Sequence, residues 1–400
     1  MSKNFNELAE TYFDEIVITA SELLQIPSVS GNEGGVADYI KEKMHALDYD
    51  EIHVDEVGNV IGIMKGSGGG KSTMLYCHMD TVEEGQLDKW KYPPFSGVVA
   101  EGKIWGRGAS DTKGTLAPML YTPYILKKAG IMPKGDVYCV CVVQEEVAGF
   151  GAMHMAAEEK FLTDFALVGE ATENDIAIAC KGRIAIDVTI NGRSCHASIP
   201  ESGVNPFDYL HKFLEALNDF PVAYDENFGS SKITPTRITS SEEGTNIVPS
   251  TVVLTLDYRS VPSETNESII ERVRSIVDQC MFEGITVDME IIMVDITTYT
   301  GFKGRGLNGL PAFQIDKNSE LVLAAKSALE KTFGREVKTK PWAFATDSGH
   351  YASKGVQVIG YSPAEIKYCH TTKDNIDLNM LKEGIAGCLA ITESLSNIQK

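Results

Sequence analysis

The chain has 400 residues, of which 43% are hydrophobic and 23% charged, and its formal net charge is −20 at pH 7. This length allows about two or three domains with sizeable cores, and the composition is that of a globular protein. The acidity argues against nucleic acids and membranes as partners, because both would require a basic surface. The acidity does not exclude bound metal ions, since carboxylates are common ligands of divalent cations.

The start of the chain and its cysteines indicate a reducing compartment. Residues 5–24 carry an amphipathic helical pattern and do not resemble an apolar secretory segment. The sequence contains no apolar run of about 18 residues or more, so we expect no membrane span. Its eight cysteines are scattered without a C-x-x-C pair, which predicts free thiols in a cytoplasmic protein.

A glycine-rich segment, residues 66–72, follows the first predicted strands. It resembles a phosphate-binding loop, but Lys65 occupies the position at which that motif requires glycine. A strand rather than a helix follows the segment, so no helix N-terminus would face a phosphate. We therefore interpret residues 66–72 as a hairpin turn.

Three apolar strands are each predicted to end at a histidine or a carboxylate. The strands cover residues 74–78, 136–143 and 165–168, and the polar side chains at their ends are His78 with Asp80, Glu145 with Glu146, and Glu170. In open α/β sheets, ligands bind at the carboxyl ends of the strands. Taken singly, these residues have simpler interpretations, such as a hydrogen-bonded histidine at a strand end. Three such endings together predict a functional site.

These side chains, with two further residues, form a plausible set of metal ligands. The candidate ligands are His78, Asp111, Glu146, Glu170 and His370. Two imidazoles and three carboxylates suit two borderline divalent ions, so we expect zinc, with manganese or cobalt as alternatives. Since neighbouring side chains of an extended segment diverge, one of Glu145 and Glu146 can bind metal while the other faces an attacking water.

The pattern of the middle of the chain differs from that of its two ends. Residues 184–190 alternate apolar with other side chains, as a strand with one buried face does. The following elements have a β-α-β-β-α-β order, which indicates an α+β, ferredoxin-like insert. We therefore predict an α/β fold with a mostly parallel mixed sheet flanked by helices. The catalytic domain would comprise residues 1–180 and 298–400, and the insert residues 181–297.

The chain resembles a family of co-catalytic zinc aminoacylases and carboxypeptidases, which includes acetylornithine deacetylase, succinyl-diaminopimelate desuccinylase and glutamate carboxypeptidase. The resemblance covers nearly the whole chain. It is carried by LYCHMDTV (75–82), GRGASDTKG (106–114), QEEVAGFGA (144–152), VGEAT (168–172), NGRSCHASIPESGVNPF (191–207), GTNIVPS (244–250), LDYRSVP (256–262) and YCHTTKDN (368–375). The QEE, KPWAFAT and YTG stretches are most similar to the branch of hydrolases linked to selenium metabolism.

The resemblance implies a metal centre with two ions. The expected ligands are His78 and Glu170 on one ion, Glu146 and His370 on the other, and Asp111 bridging both. The resemblance also implies that Asp80 orients His78 and that Glu145 is the general base for a water bound to the metals. The peptide bond after Asp111 is expected to be cis.

Three residues of the insert complete the expected site. The resemblance implies that the insert joins two subunits as a homodimer and closes over the substrate as a lid. His196 would stabilise the oxyanion in the active site of the partner subunit, while Asn246 and Arg259 would bind the substrate. A guanidinium suits a substrate carboxylate, because its fork can donate two parallel hydrogen bonds. Without the resemblance, a hairpin histidine, a turn asparagine and a solvent-facing arginine would be the simpler interpretations.

These features predict a dinuclear metal-dependent hydrolase of the amide bond in an N-acyl amino acid, a dipeptide or a similar carboxylate-bearing substrate. The alternative is a non-catalytic protein that binds metal or a small molecule on the same scaffold. A serine hydrolase lacks support, since the sequence contains no G-x-S-x-G segment. Residues 344–349 depart from the family's glycine-rich pocket loop. Whether this loop or His350 contacts substrate is therefore left open, as are the acyl group and the amine.

Overall fold

The structure is a computed structural model that describes residues 4–400. The α-helices of this part of the chain are α1 Phe5–Leu24, α2 Gly34–Ala46, α3 Lys113–Lys128, α4 Phe150–Glu158, α5 Pro206–Ala216, α6 Asn266–Cys280, α7 Glu320–Phe333, α8 Gly349–Ala352 and α9 Leu378–Ser396. The helix predicted for residues 5–24 is confirmed as α1. Within residues 4–400, no helix has both the length and the hydropathy that crossing a bilayer requires.

The strands are short and belong to two main sheets and several small ones. In chain order they are β1 Glu51–Val54, β2 Val60–Met64, β3 Thr73–His78, β4 Val98–Ala100, β5 Lys103–Trp105, β6 Val137–Val142, β7 Phe165–Val168, β8 Ile176–Cys180, β9 Gly182–Asn191, β10 Cys195–His196, β11 Tyr224–Asp225, β12 Gly229–Ser230, β13 Lys232–Ser240, β14 Ile247–Val248, β15 Thr251–Ser260, β16 Thr286–Ile291, β17 Met293–Thr297, β18 Lys303–Leu307, β19 Gly309–Leu310, β20 Phe313–Gln314, β21 Thr339–Pro341, β22 Gln357–Gly360 and β23 Asn375–Asp377.

The large sheet has the strand order β1-β2-β6-β3-β7-β22-β8-β20, with β21 beside β8. Its centre, from β6 through β3 and β7 to β22, is parallel, while the strands towards both edges pair mostly in the antiparallel sense. Helices cover both of its faces, so successive side chains of the central strands enter different cores. In β3, Leu75 and Cys77 pack in one core, and Met74 and Tyr76 pack in the other. The predicted mixed α/β sheet flanked by helices is confirmed.

The glycine-rich segment is not a hairpin turn, so that prediction is wrong. Strands β2 and β3 lie on opposite sides of β6 and do not pair with each other. Residues 66–72 therefore connect two strands that are separated in the sheet by β6. A Cβ atom added at Gly70 would lie 2.1 Å from the carbonyl oxygen of Ser396. Close approach of the backbone to the end of α9 thus explains a glycine at this position.

The second sheet has the order β13-β15-β9-β16, with β19 beside β9, and all of its pairs are antiparallel. Its main elements follow one another as β9-α5-β13-β15-α6-β16, which is the predicted ferredoxin-like order. The alternation in residues 184–190 arises because every second side chain of β9 packs beneath α5 and α6. The opposite face of this sheet carries more polar side chains. Strand β9 begins two residues after β8 ends, so the two sheets are directly linked.

Candidate metal centre

The site forms where three neighbouring parallel strands end. Strands β6, β3 and β7 are adjacent in the large sheet, and the residues that follow them reach the same edge. His78 is the last residue of β3, Glu145 and Glu146 follow β6, and Glu170 follows β7. This arrangement confirms that the carboxyl ends of these strands come together.

Asp111 contacts both site histidines through different oxygens of its carboxylate. His78 Nε2 lies 2.9 Å from Asp111 Oδ1, and His370 Nε2 lies 3.0 Å from Asp111 Oδ2. His78 Nε2 is also 3.5 Å from Glu170 Oε1, while His370 Nε2 is 2.9 Å from Glu146 Oε1. The five side chains therefore form two pairs, each with one imidazole and one glutamate, on either side of a shared aspartate.

The donor atoms of this cluster are close enough to converge on cations. His78, Asp111 and Glu146 each offer one ligand atom within 4.8 Å of the others. One ligand atom from each of His78, Glu145 and Glu170 also lies within 4.8 Å of the others. Nitrogen and carboxylate donors at such spacing fit two divalent ions of the zinc type. The second group also places Glu145 close enough to bind an ion, so its role as base or ligand needs a direct test.

The carboxylates of the site are electrostatically crowded. Burial raises the pKa of Glu145 well above its ordinary value, and the nearby charge of Asp347 raises it further. Burial likewise raises the pKa of Glu170, with Asp111 as the main neighbouring charge. Burial would also raise the pKa of Asp111, but hydrogen bonds from His370 and His78 hold it below its usual range. Bound cations would relieve this repulsion, so the donor set fits metal ions.

Asp80 supports the site from behind and is not among the residues that converge on Asp111. His78 Nδ1 lies 2.9 Å from the backbone carbonyl oxygen of Asp80 and 3.5 Å from its Oδ1. The carboxylate of Asp80 accepts hydrogen bonds from the backbone N–H of Glu145 at 3.0 Å and of Glu146 at 3.1 Å. It also accepts one from Ser30 Oγ at 2.6 Å. Asp80 is thus placed to hold both glutamates as well as His78.

Asp374, which the sequence analysis did not single out, organises the loop before Asp111. Its Oδ2 accepts a hydrogen bond from the backbone N–H of Gly108, and its Oδ1 from that of Ser110, both at 2.8 Å. Arg107 Nη1 lies 3.2 Å from Asp374 Oδ2, and both side chains are buried. The only sequence signal was its position inside the segment YCHTTKDN. The peptide bond after Asp111 is cis, which confirms that expectation.

A second missed pair lies behind Glu145. The hydroxyl of Tyr76 donates a hydrogen bond to Asp347 Oδ2, and both residues are buried. Within residues 4–400, the other carboxylate oxygen of Asp347 has no hydrogen-bond partner. His350, three residues further on, is 7% exposed and does not line the cavity beside the site.

A cavity of about 300 Å³ opens beside the predicted ligands. Its described lining residues are Asp111, Glu145, Glu146, Ala148, Glu170, Arg183, Asn308, Gly309, Leu310, Phe344, Ala345, Ile366, Cys369 and His370. His78 lies beneath this surface and is fully buried. Two residues of the 344–349 loop therefore face the cavity. Arg183 and Asn308 were not among the predicted site residues.

The three residues predicted in the insert lie elsewhere in the same subunit. His196, Asn246 and Arg259 are exposed and are not among the described residues that line the cavity. His196 lies in β10, which pairs with β14, and the backbone N–H of Ala197 donates to the carbonyl of Asn246. Arg259 Nε instead lies 2.6 Å from Asp257 Oδ1. Their roles in catalysis and substrate binding stay predictions.

Comparison with known proteins identifies the family of the chain. The model of peptidase family M20/M25/M40 matches residues 74–394. A succinyl-diaminopimelate desuccinylase of Pseudoalteromonas atlantica is 25% identical over 92% of this chain and 96% of its own length. The fold is shared with an aminopeptidase, PepT, of Bacillus cereus, at a TM-score of 0.75, 21% identity and coverage of 96% of this chain and 98% of that one. It is also shared with a metallo-carboxypeptidase, Sso-CP2, of Sulfolobus solfataricus, at a TM-score of 0.70, 18% identity and coverage of 96% and 99%. The chain therefore belongs to peptidase family M20/M25/M40 and is a metal-dependent hydrolase of amide bonds.

Proposed function

We propose that the protein uses two zinc ions to hydrolyse the amide bond of an N-acyl amino acid, a dipeptide or a similar substrate with a free carboxylate. The observation that carries this proposal is the shared carboxylate of Asp111, which lies between the pair His78–Glu170 and the pair His370–Glu146. Such a pair of half-sites around one carboxylate would suit a co-catalytic centre of two divalent ions.

Each group of the site has a defined task in this proposal. Bound divalent ions supply a Lewis acid that polarises the amide carbonyl and lowers the pKa of the attacking water. Glu145 accepts the proton of that water and then donates it to the leaving nitrogen as the C–N bond breaks. Glu145 lines the cavity together with Asp111 and Glu146, so its carboxylate borders the space in which a substrate amide and a water would bind. Asp80 holds the backbone of Glu145 while this proton moves.

We further propose that the active enzyme is a homodimer in which the partner's His196 stabilises the oxyanion. This proposal rests on the exposed position of His196 and Asn246, which lie side by side away from the cavity of their own subunit. A mixture of the variants Glu145→Gln and His196→Ala tests it. Mixed dimers would contain one intact site, so about a quarter of wild-type activity should return under random pairing. No recovery in demonstrably mixed dimers would contradict the shared site.

The chemical test of the proposed function starts from metal-free protein. We would add zinc, manganese or cobalt and follow a panel of N-acyl amino acids and dipeptides by mass spectrometry. We expect turnover that chelators abolish and that zinc restores. No turnover of any panel member by fully metal-loaded protein would instead support a non-catalytic binding role on this scaffold. Restoration by manganese or cobalt alone would contradict the assignment of zinc.

The cytoplasmic location expected from the sequence stays a prediction. All eight cysteines are free in the structure, and most of them are buried. Free thiols are usual in a reducing compartment. Fractionation of cells that make the protein would test the location directly.

A further inference from the structure

We propose that Arg183 binds the free carboxylate of the substrate from within the same subunit as the metal centre. This inference rests on the proposed function and identifies the residue that would select carboxylate-bearing substrates. Arg183 lines the same cavity as Asp111, Glu145 and His370. Among the described residues that line this cavity, it is the only lysine or arginine.

Two polar partners hold the guanidinium of Arg183 in place. Its Nε donates a hydrogen bond to Asp257 Oδ2 at 2.8 Å, and its Nη1 donates one to Asn308 Oδ1 at 3.1 Å. The side chain is 36% exposed. A guanidinium has five N–H groups, and within residues 4–400 the others of Arg183 have no acceptor. The fixed group therefore retains donors at its free end for a two-pronged contact with a carboxylate.

The charges around Arg183 favour an anion at this end of the cavity. Arg183 and Arg259 face each other across the pairing of β9 with β15, and both contact the carboxylate of Asp257. The single carboxylate of Asp257 balances the charge of only one of the two guanidiniums. The three side chains together therefore keep a net positive charge. The acidic side chains of the cavity cluster around His370 and His78, with Asp111 and Glu146 next to His370 and Glu145 and Glu170 next to His78. A substrate carboxylate is thus attracted to Arg183, while its amide can reach the metals.

The shape and walls of the cavity limit the substrate to a small molecule. Leu310, Phe344 and Ile366 supply apolar surface in the wall of the cavity. A volume of about 300 Å³ is at the small end for binding sites, and it suits one amino acid with a modest acyl or aminoacyl group. The chemical class that fits is a small N-acyl amino acid or dipeptide whose carboxylate meets Arg183.

The test compares a substrate with its neutral carboxamide. For the best substrate of the panel, we would measure kcat and KM for the acid and for the matching amide with wild-type enzyme and with Arg183→Gln. We expect the preference for the acid to fall about 100-fold in Arg183→Gln, mainly through a higher KM, because this contact is present before and during the reaction. The variant Arg183→Lys should recover part of the preference, since it keeps the charge but not the fork.

Two further variants make the result specific to Arg183. Arg237→Gln changes an exposed arginine of the same sheet and should leave the preference unchanged. Asn308→Ala removes one of the two partners of Arg183 and should reduce the preference to an intermediate value. Metal content and thermal unfolding of each variant would show that it is folded and loaded.

The outcomes separate this inference from the proposed function. If wild-type enzyme cleaves neither acids nor amides, the proposed function fails and the inference falls with it. If it cleaves acids and Arg183→Gln keeps the full preference, the function stands and the role of Arg183 is wrong. Loss of the preference in Arg259→Gln together with its retention in Arg183→Gln would assign carboxylate binding to Arg259 instead.

Discussion

The carboxylate of Asp80 accepts a hydrogen bond from the backbone N–H of Glu145 at 3.0 Å. This contact links the segment after β3 to Glu145, the proposed base, which lies in the segment after β6. The nearest contact of His78 Nδ1 is the backbone carbonyl of Asp80, so the carboxylate is free to hold the neighbouring loop. Asp80 therefore connects the position of His78, a proposed metal ligand, to the position of Glu145, the proposed base.

The variant Asp80→Asn tests this link. An amide has one acceptor oxygen, and its NH2 group would face backbone N–H groups that now donate to Asp80. We expect a loss of about 10–100-fold in metal affinity or activity, as is usual for supporting residues around a metal. Enzyme kinetics and zinc competition with a chelator would measure both effects. Asp88→Asn, in an exposed turn, is the control, and wild-type behaviour of Asp80→Asn would refute the link.

The buried pair of Arg107 and Asp374 should contribute strongly to stability. Asp374→Ala leaves a buried guanidinium without its partner and removes two acceptors from the loop before Asp111. We expect the free energy of unfolding to fall by about 3–5 kcal/mol and metal occupancy to drop. Denaturant titration and metal analysis would measure these effects.

An exposed ion pair provides the control for Asp374→Ala. Asp295 Oδ1 lies 3.4 Å from Arg305 Nε, and the Asp295 side chain is 92% exposed. Asp295→Ala should therefore change the free energy of unfolding by less than about 1 kcal/mol. If Asp295→Ala and Asp374→Ala lowered the free energy of unfolding equally, the buried pair of Arg107 and Asp374 would contribute no more to stability than an exposed one.

His350 should make the metal-free protein sensitive to acid. Burial lowers the pKa of His350 from 6.5 to about 4, and its Nε2 has no hydrogen-bond partner within residues 4–400. Between these values the unfolded chain binds a proton that the folded chain does not, so stability falls as the pH drops through this range. From pH 7 to pH 5, this one residue should account for about 2 kcal/mol of lost stability.

The variant His350→Leu isolates this effect, because leucine cannot take up a proton. In the presence of a chelator, its unfolding free energy should fall about 2 kcal/mol less than that of wild-type protein between pH 7 and pH 5. His211→Leu alters a ring that is 73% exposed and should leave the pH dependence unchanged. The same acid sensitivity in His350→Leu and wild-type protein would disprove the role of His350.

The sequence suggested the proposed metal ligands because most of them follow short apolar strands, whose ends meet at one edge of a parallel sheet. Arg183 had no such signal. It is the second residue of β9, and only the pairing of β9 with β15 and the approach of Asn308 place it at the cavity. Asp374 was missed for a related reason, since it contacts Gly108 across 266 positions of the chain.

The prediction for residues 66–72 failed because local turn signals do not show which strands pair. Glycine and polar residues between two strands are typical of a hairpin. Here β6, which comes later in the chain, lies between β2 and β3. Glycine at position 70 instead allows the backbone to approach Ser396.

The most direct test of the account is the metal content and turnover of Glu145→Gln. Glutamine keeps the size of the side chain but cannot act as a base. If Glu145 is the base, the variant should bind as many zinc ions per subunit as wild-type protein, for which we propose two, and lose about 10²–10⁴-fold in kcat. Wild-type turnover, or the loss of one zinc ion from the variant, would contradict the central claim, since Glu145 would then be dispensable or a metal ligand.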